Sequence, residues 1–131
     1  MSVIEAYEFF RHIPSIKKHL YTMIEVGLGY LTLGQPAPSL SGGEAQRLKL
    51  ARELTPGTQR DTIYILDEPS IGLHSEDINR LLSLLDKLIE KGNTVIIAEH
   101  HPEIIKAADY IIELGPEGGE KGGYLINTGW I

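Results

Sequence analysis

Leu40-Ser41-Gly42-Gly43-Glu44-Ala45-Gln46-Arg47 and, fifteen residues further on, Ile63-Tyr64-Ile65-Leu66-Asp67-Glu68-Pro69 decide the fold. The first block is a serine and two glycines opening an amphipathic helix. The second is an apolar strand that delivers two carboxylates to its carboxyl end. A helix whose first turn is Ser41-Gly42-Gly43 presents unpaired backbone N–H groups and the positive end of its dipole, and the glycines let an anion come close. Asp67 and Glu68, adjacent after a buried strand, suit a magnesium-associated aspartate and a glutamate that polarises an attacking water. Consecutive side chains on extended backbone point apart, so one carboxylate faces a metal shell and the other a γ-phosphate. Helix-end electrostatics contributes only about 0.3 to 2 kcal/mol, so the serine-glycine turn alone does not hold a nucleotide against water. No stretch matches the phosphate-cradling loop G-x-x-x-x-G-K-[ST], and Gly-Lys never occurs. The two blocks read as half of an ATP site whose phosphate loop comes from another lobe.

Working outward, Ser2 and Glu5 make a capping box for a short helix carrying Ala6, Phe9 and Phe10. A second helix starts at Pro14, with Ile16, Leu20, Met23, Ile24 and Val26 at helical spacing until Gly27 and Gly29. Tyr30 to Pro38 is punctuated by Gly and Pro and reads as a loop or short edge strand leading into the serine-glycine turn. Ser41 is a natural N-cap for a helix in which Ala45, Leu48, Ala51, Arg52 and Leu54 recur, stopped by Pro56-Gly57. The continuous apolar run Ile63 to Leu66 predicts a strand buried on both faces. After the turn Pro69 to His74, Ser75 and Asp77 open a helix with Ile78, Leu81, Leu82, Leu85, Leu88 and Ile89 on its apolar face, closed by Lys91-Gly92-Asn93. Thr94 to Ala98 predicts a second strand ending in Glu99-His100-His101, Pro102 to Ala108 a short helix, and Tyr110 to Leu114 a third strand. Strand and helix alternate, which predicts an α/β fold with a parallel sheet covered by helices, its functional groups gathered at the strands' carboxyl ends. The expected division is a helical region with the serine-glycine turn over 1–60 and an α/β lobe over 61–131, the two forming one continuous unit.

Composition narrows the function classes. The chain has 131 residues, 42% of them hydrophobic, enough for one globular domain. No apolar run approaches the length a bilayer requires, and Met1 to Glu5 lacks the basic and apolar regions of a signal peptide, so a cytoplasmic location is expected and no membrane partner. Without cysteine there are neither disulfides nor thiolate zinc sites, and a metal must be held by oxygen, histidine or a bound nucleotide. The net charge of -6 argues against this segment alone gripping nucleic acid.

Two further features have competing readings. His100, at the end of the second strand, is placed to hydrogen-bond a γ-phosphate and report ATP against ADP. His101 beside it is the rival, and it precedes Pro102 as an N-cap residue does. His74, His100 and His101 lack the H-x-x-x-H spacing of a helical zinc site. The glycine-rich Gly115 to Gly123 lacks the lysine and following helix of a phosphate loop and reads as a hairpin loop before Tyr124 to Asn127, a candidate final strand.

These motifs resemble the ATP-binding cassette (ABC) family, in which a Leu-Ser-Gly-Gly signature, a Walker B strand, a D-loop and a switch histidine follow in this order. Within it, Gly27-Leu28-Gly29-Tyr30, Leu33-Gly34-Gln35, Leu40 to Arg47, Leu50 to Leu54, Ile65 to Pro69, Gly72-Leu73-His74 and Leu114 to Gly119 look like the UvrA family, the damage-sensing ATPases of bacterial excision repair. The resemblance runs over nearly the whole chain but only to the later part of the family's C-terminal ATPase half, so it implies a partial P-loop NTPase lobe. It implies ATP and Mg²⁺ as cofactors. It also implies that Ser41, Gly42, Gly43 and Glu44 contact ATP held by a Walker A lobe of the same or another chain. Asp67 would assist Mg²⁺, Glu68 activate water and His100 sense the γ-phosphate, while Ser70 to His74 would form the D-loop linking two sites. DNA and the excinuclease subunits would be partners only of a complete protein, whose Walker A loops and cysteine zinc modules are not in this sequence. The implied behaviour is near-inertness alone, with self-association favoured by exposed sheet edges. Two other readings stand beside it: a non-catalytic interaction or dimerisation module of the same fold, and an SMC- or Rad50-like C-terminal lobe. The latter should follow a long coiled coil, which the first forty residues are not.

Overall fold

The computed structural model describes residues 1–54 and 60–131, so the helix stop expected at Pro56-Gly57 lies outside the described residues. The chain falls into two compact units, Met1–Glu99 and His100–Ile131, each described by itself.

The first unit begins with α1 (Val3–Phe9), fixed by the expected capping box: the Ser2 N–H donates to a Glu5 carboxylate oxygen at 2.6 Å and the Glu5 N–H to the Ser2 hydroxyl at 3.2 Å. Proline at the first turn starts α2 (Pro14–Glu25). The connector then returns past α1. The Val3 N–H donates to the Leu31 carbonyl at 2.9 Å, Ser2 and Thr32 form an isolated bridge, and a short 3₁₀ turn spans Ala37–Ser39. There follow α3 (Gly42–Leu54), β1 (Ile63–Asp67), α4 (Ser75–Glu90) and β2 (Thr94–Ala98). β1 and β2 pair in parallel, in register from Ile63 opposite Thr94 to Asp67 opposite Ala98. Buried Asn93 locks this register: its amide donates to the Leu88 carbonyl at the end of α4 (2.9 Å), and its side-chain oxygen accepts from the Thr62 N–H just before β1 (3.1 Å).

One core joins Val3, Leu28 and Leu31 to Leu50, Leu66, Leu81 and Leu88. Three expectations about its faces are corrected. On α4, Leu84 is buried where Leu82 and Ile89 were expected, Leu82 being half-buried and Ile89 41% exposed. On α3, Arg47, Leu50 and Ala51 face inward while Leu48 lies outward, so the helix is rotated about one position from the apolar stripe. The strands are not covered on both sides either. Leu66 is buried, but Ile63, Ile65 and Ile96 are 62%, 75% and 51% exposed, all on the face away from the core. A continuous apolar run describes a doubly covered strand; here the described residues supply one cover.

In the second unit α5 (Pro102–Ala107) is capped by His101, whose Nδ1 accepts from the Glu103 N–H at 3.3 Å. The strand expected to extend the parallel sheet, β3 (Tyr110–Gly115), instead pairs antiparallel with β4 (Tyr124–Trp130), from Tyr110 opposite Trp130 to Gly115 opposite Tyr124. The short glycine-rich connection, with a 3₁₀ turn at Gly119–Lys121, is the hairpin loop its composition indicates and is too short for a parallel crossover. Tyr110 and Trp130 meet edge to face across the pair, centroids 5.0 Å apart. No helix among the described residues is long and apolar enough to cross a membrane.

Candidate functional site

The serine-glycine turn is built by a second capping box. The Glu44 N–H donates to the Ser41 hydroxyl at 3.2 Å, and the Glu44 carboxylate accepts the Ser41 N–H at 2.8 Å. The hydroxyl therefore acts as an acceptor within the helix and keeps its proton for a further partner. Tyr30, from the connector, donates its phenol to the same Glu44 carboxylate. That bond, aided by the Ser41 backbone bond and the nearby Arg47 charge and opposed by slight burial, holds Glu44 below the usual carboxylate range. Burial, followed by the bond to Glu44 and its charge, raises the Tyr30 phenol above its ordinary value. The two glycines differ. A Cβ on Gly42 would meet nothing within 4 Å, whereas one on Gly43 would lie 2.9 Å from the Ile71 carbonyl oxygen and 3.0 Å from an Arg47 nitrogen. Gly42 thus leaves open space beside the exposed Ser41, and Gly43 lets α3 press against the loop that follows β1.

That loop carries the carboxylates. Asp67 and Glu68 are both exposed at the end of β1. Glu68 has φ 45°, a left-handed conformation that costs a non-glycine residue about 1 to 3 kcal/mol. Surrounding bonds over-determine it. The Glu68 N–H donates to the Ala98 carbonyl at 2.8 Å, and its own carbonyl accepts from the Ile71 N–H at 3.3 Å. The Ser70 N–H donates to the Glu99 carboxylate at 2.8 Å. From α3, the Gln46 amide donates to the Asp67 carbonyl at 3.1 Å, and one Arg47 nitrogen donates to the carbonyls of Pro69 at 3.1 Å and Ile71 at 2.9 Å. The helix that opens with Ser41-Gly42-Gly43 and the turn that follows the two carboxylates are therefore one hydrogen-bonded assembly.

Ser70 is half-buried within this turn, and exposed His74 is the residue before α4, making no side-chain cap. His100 is exposed and begins the second unit, two residues past β2. Among the described residues no three histidine, aspartate or glutamate side chains cluster to hold a metal. The exposed Asp67 carboxylate offers oxygen donors of the kind Mg²⁺ takes, and the described residues put no second acidic or histidine cluster around it.

Three residues went unread in the sequence. Arg47, only 1% exposed, carries no helical-periodicity signal for burial, because a charge is expected outside. Glu99 gives no signal beside its histidine neighbours, although a tight turn with an unpaired N–H calls for an acceptor nearby. Tyr30 sat in a segment read as a connector.

No protein-family model matches the chain. It is 59% identical over 129 residues to UvrABC system protein A of Clostridium perfringens, covering 98% of this chain and 14% of that relative's length. UvrA2 from Deinococcus radiodurans superimposes with TM-score 0.86 and 50% identity over 99% of this chain and 16% of that one. A dimeric bacterial ABC transporter cassette aligns over 76% of this chain and 42% of its own, with 27% identity and TM-score 0.52. The fold is accordingly a partial P-loop NTPase lobe of the ABC ATPase type. Over nearly its whole length the chain is thus similar in sequence and fold to one segment of UvrABC system protein A, and it spans about a seventh of the length of the curated relatives it matches.

Proposed function

We propose that the chain supplies the signature turn and the Walker B carboxylates of a UvrA-like excision-repair ATPase, and that it turns over ATP only beside a Walker A lobe. The carrying observation is that the helix opening with Ser41-Gly42-Gly43 is bonded through Gln46 and Arg47 to the turn just after Asp67 and Glu68. In this reading the turn's N–H groups and the Ser41 proton meet the γ-phosphate of ATP bound on an opposing lobe, and Gly42 gives the phosphate room. The carboxylates serve a second nucleotide. Asp67 helps hold Mg²⁺, which when bound neutralises phosphate charge, and Glu68 accepts a proton from the attacking water. His100 contacts the γ-phosphate, and Ser70 and His74 lie in the D-loop between the two sites. DNA and the other excinuclease subunits engage the assembled protein, in the cytoplasm.

The test is nucleotide titration and phosphate release by the chain alone and mixed with a separately produced Walker A lobe of a UvrA relative. Turnover should arise only in the mixture, and vigorous hydrolysis by the chain alone would overturn the reading. A second reading, a non-catalytic dimerisation module, is favoured by the uncovered Ile63, Ile65 and Ile96. Sedimentation showing a tight homodimer, with no turnover in any mixture, would favour it.

A further inference from the structure

Arg47 is 1% exposed, yet among the described residues it forms no ion pair with a carboxylate, its charge acting on Glu44 only from nearby. One of its terminal nitrogens makes both bonds to the Pro69 and Ile71 carbonyls, while Nε and the other terminal nitrogen are buried with no hydrogen-bond partner among the described residues. Leaving guanidinium N–H groups buried and unsatisfied is costly, so an arginine kept here for packing alone would be a poor choice beside methionine or leucine. What it does provide is two charge-assisted bonds that straddle Ser70, on the loop where Glu68 is held at positive φ. Arg47 stands one turn after Gly43 on α3, and the same nitrogen lies 3.0 Å from where a Gly43 Cβ would stand, so turn, guanidinium and loop are packed with no room for a methyl between them. On the other side, Glu99 takes the Ser70 N–H.

We propose that Arg47 is a positioning residue: it transmits the placement of the Ser41-Gly42-Gly43 turn to the Glu68 carboxylate, so that nucleotide contact at the turn and water activation at Glu68 are coupled through this one side chain. The proposal rests on the ATPase reading above. It acts on the chemical step more than on nucleotide affinity, because Arg47 itself is buried beneath the turn.

The experiment compares R47M, R47K and wild type, each mixed with the Walker A lobe for steady-state kinetics and each alone for amide hydrogen exchange. R47M should lower kcat about 100-fold, the penalty of misplacing a catalytic group by about 1 Å, with KM for ATP within about threefold. R47K, which keeps the charge and three donors, should recover to within about tenfold of wild type. In the chain alone, R47M should speed exchange at the Ile71 and Leu73 amides about tenfold or more while β1 and β2 amides keep their protection. A folded R47M whose loop stays protected, or which changes KM alone, overturns the proposal. Should R47M not fold, R47K and Gly43→Ala decide, since the added methyl pushes on both the Ile71 carbonyl and Arg47. Gly43→Ala must then show the kcat loss and the faster loop exchange with R47K staying within about tenfold of wild type, and wild-type values in Gly43→Ala overturn it. If the wild-type mixture hydrolyses no ATP, the ATPase reading fails, while the exchange comparison still decides whether Arg47 holds the loop.

Discussion

Gly42→Ala and Gly43→Ala place the same methyl group on neighbouring residues of one helical turn, and the structure predicts opposite outcomes. Each gains helix propensity, up to about 1 kcal/mol in a helix interior and less in a first turn, and that gain is common to both. Only the surroundings differ. At Gly42 the methyl meets nothing within 4 Å; at Gly43 it would stand 2.9 Å from the Ile71 backbone oxygen and 3.0 Å from Arg47, closer than carbon normally approaches either. Relieving the overlap means moving backbone that Arg47 and Glu68 hold in place, and such overpacking costs about 1 to 3 kcal/mol. The stability difference between the two variants should therefore be about 1 to 3 kcal/mol in favour of Gly42→Ala, the propensity term cancelling. Urea unfolding followed by far-UV circular dichroism measures it, with equal m-values confirming that the same transition is compared. Nucleotide titration beside a Walker A lobe should rank them the other way, Gly42→Ala losing affinity because its methyl fills the space left for phosphate. Equal stability of the two variants would refute the assignment of Gly43 to packing and Gly42 to the ligand.

Other outcomes follow from single bonds. Asn93→Ala strips a partner from the Thr62 N–H and a bond from the Leu88 carbonyl, and should cost about 2 to 3 kcal/mol by urea unfolding, two lost bonds with a part-buried donor left unpaired. Glu68→Gln should slow ATP hydrolysis of the reconstituted site about 10²- to 10⁴-fold with nucleotide binding retained, as single-turnover assays would read. The Tyr30–Glu44 bond should add stability only in a pH window. Glu44 is depressed in the fold, so its share is present above the unfolded carboxylate value and lost as pH falls through the lower folded one. Tyr30 is raised, so its share is present below the unfolded phenol value and lost as pH rises through the higher folded one. Tyr30→Phe should therefore lower the melting temperature at neutral pH and converge on wild type at both extremes; a parallel offset at every pH would contradict this.

Local signals in the sequence were strong where one residue type has one use. Ser2 with Glu5, Pro14 at a helix start and the glycines of the hairpin loop all behaved as their chemistry requires. Ser41 likewise caps its helix, joined by a reciprocal bond from Glu44. What the sequence did not disclose were facts about partners. Arg47 is buried because carbonyls 22 and 24 residues away need donors, and no periodicity within α3 announces that. β3 pairs with β4 and not with β1 or β2, because an apolar run carries no label for its neighbour. The carboxylates Asp67 and Glu68 were legible from their place after an apolar strand, but the left-handed backbone of Glu68 was not, since nothing about glutamate anticipates it.

The pleat of β1 has a consequence for order of events. Ile63, Ile65 and Asp67 alternate onto one side of the strand, and Ile96 and Ala98 of β2 stand beside them in register. The isoleucines are half to three-quarters exposed, so covering each completely is worth about 1 to 2 kcal/mol, and this side is sticky beside a carboxylate. Whatever surface settles on the isoleucines arrives next to Asp67 in the same motion, about two residues along the strand. Adhesion and the carboxylate are thus threaded on one row of side chains, and the row becomes dry and its carboxylate supplied with neighbours in a single docking event rather than in two.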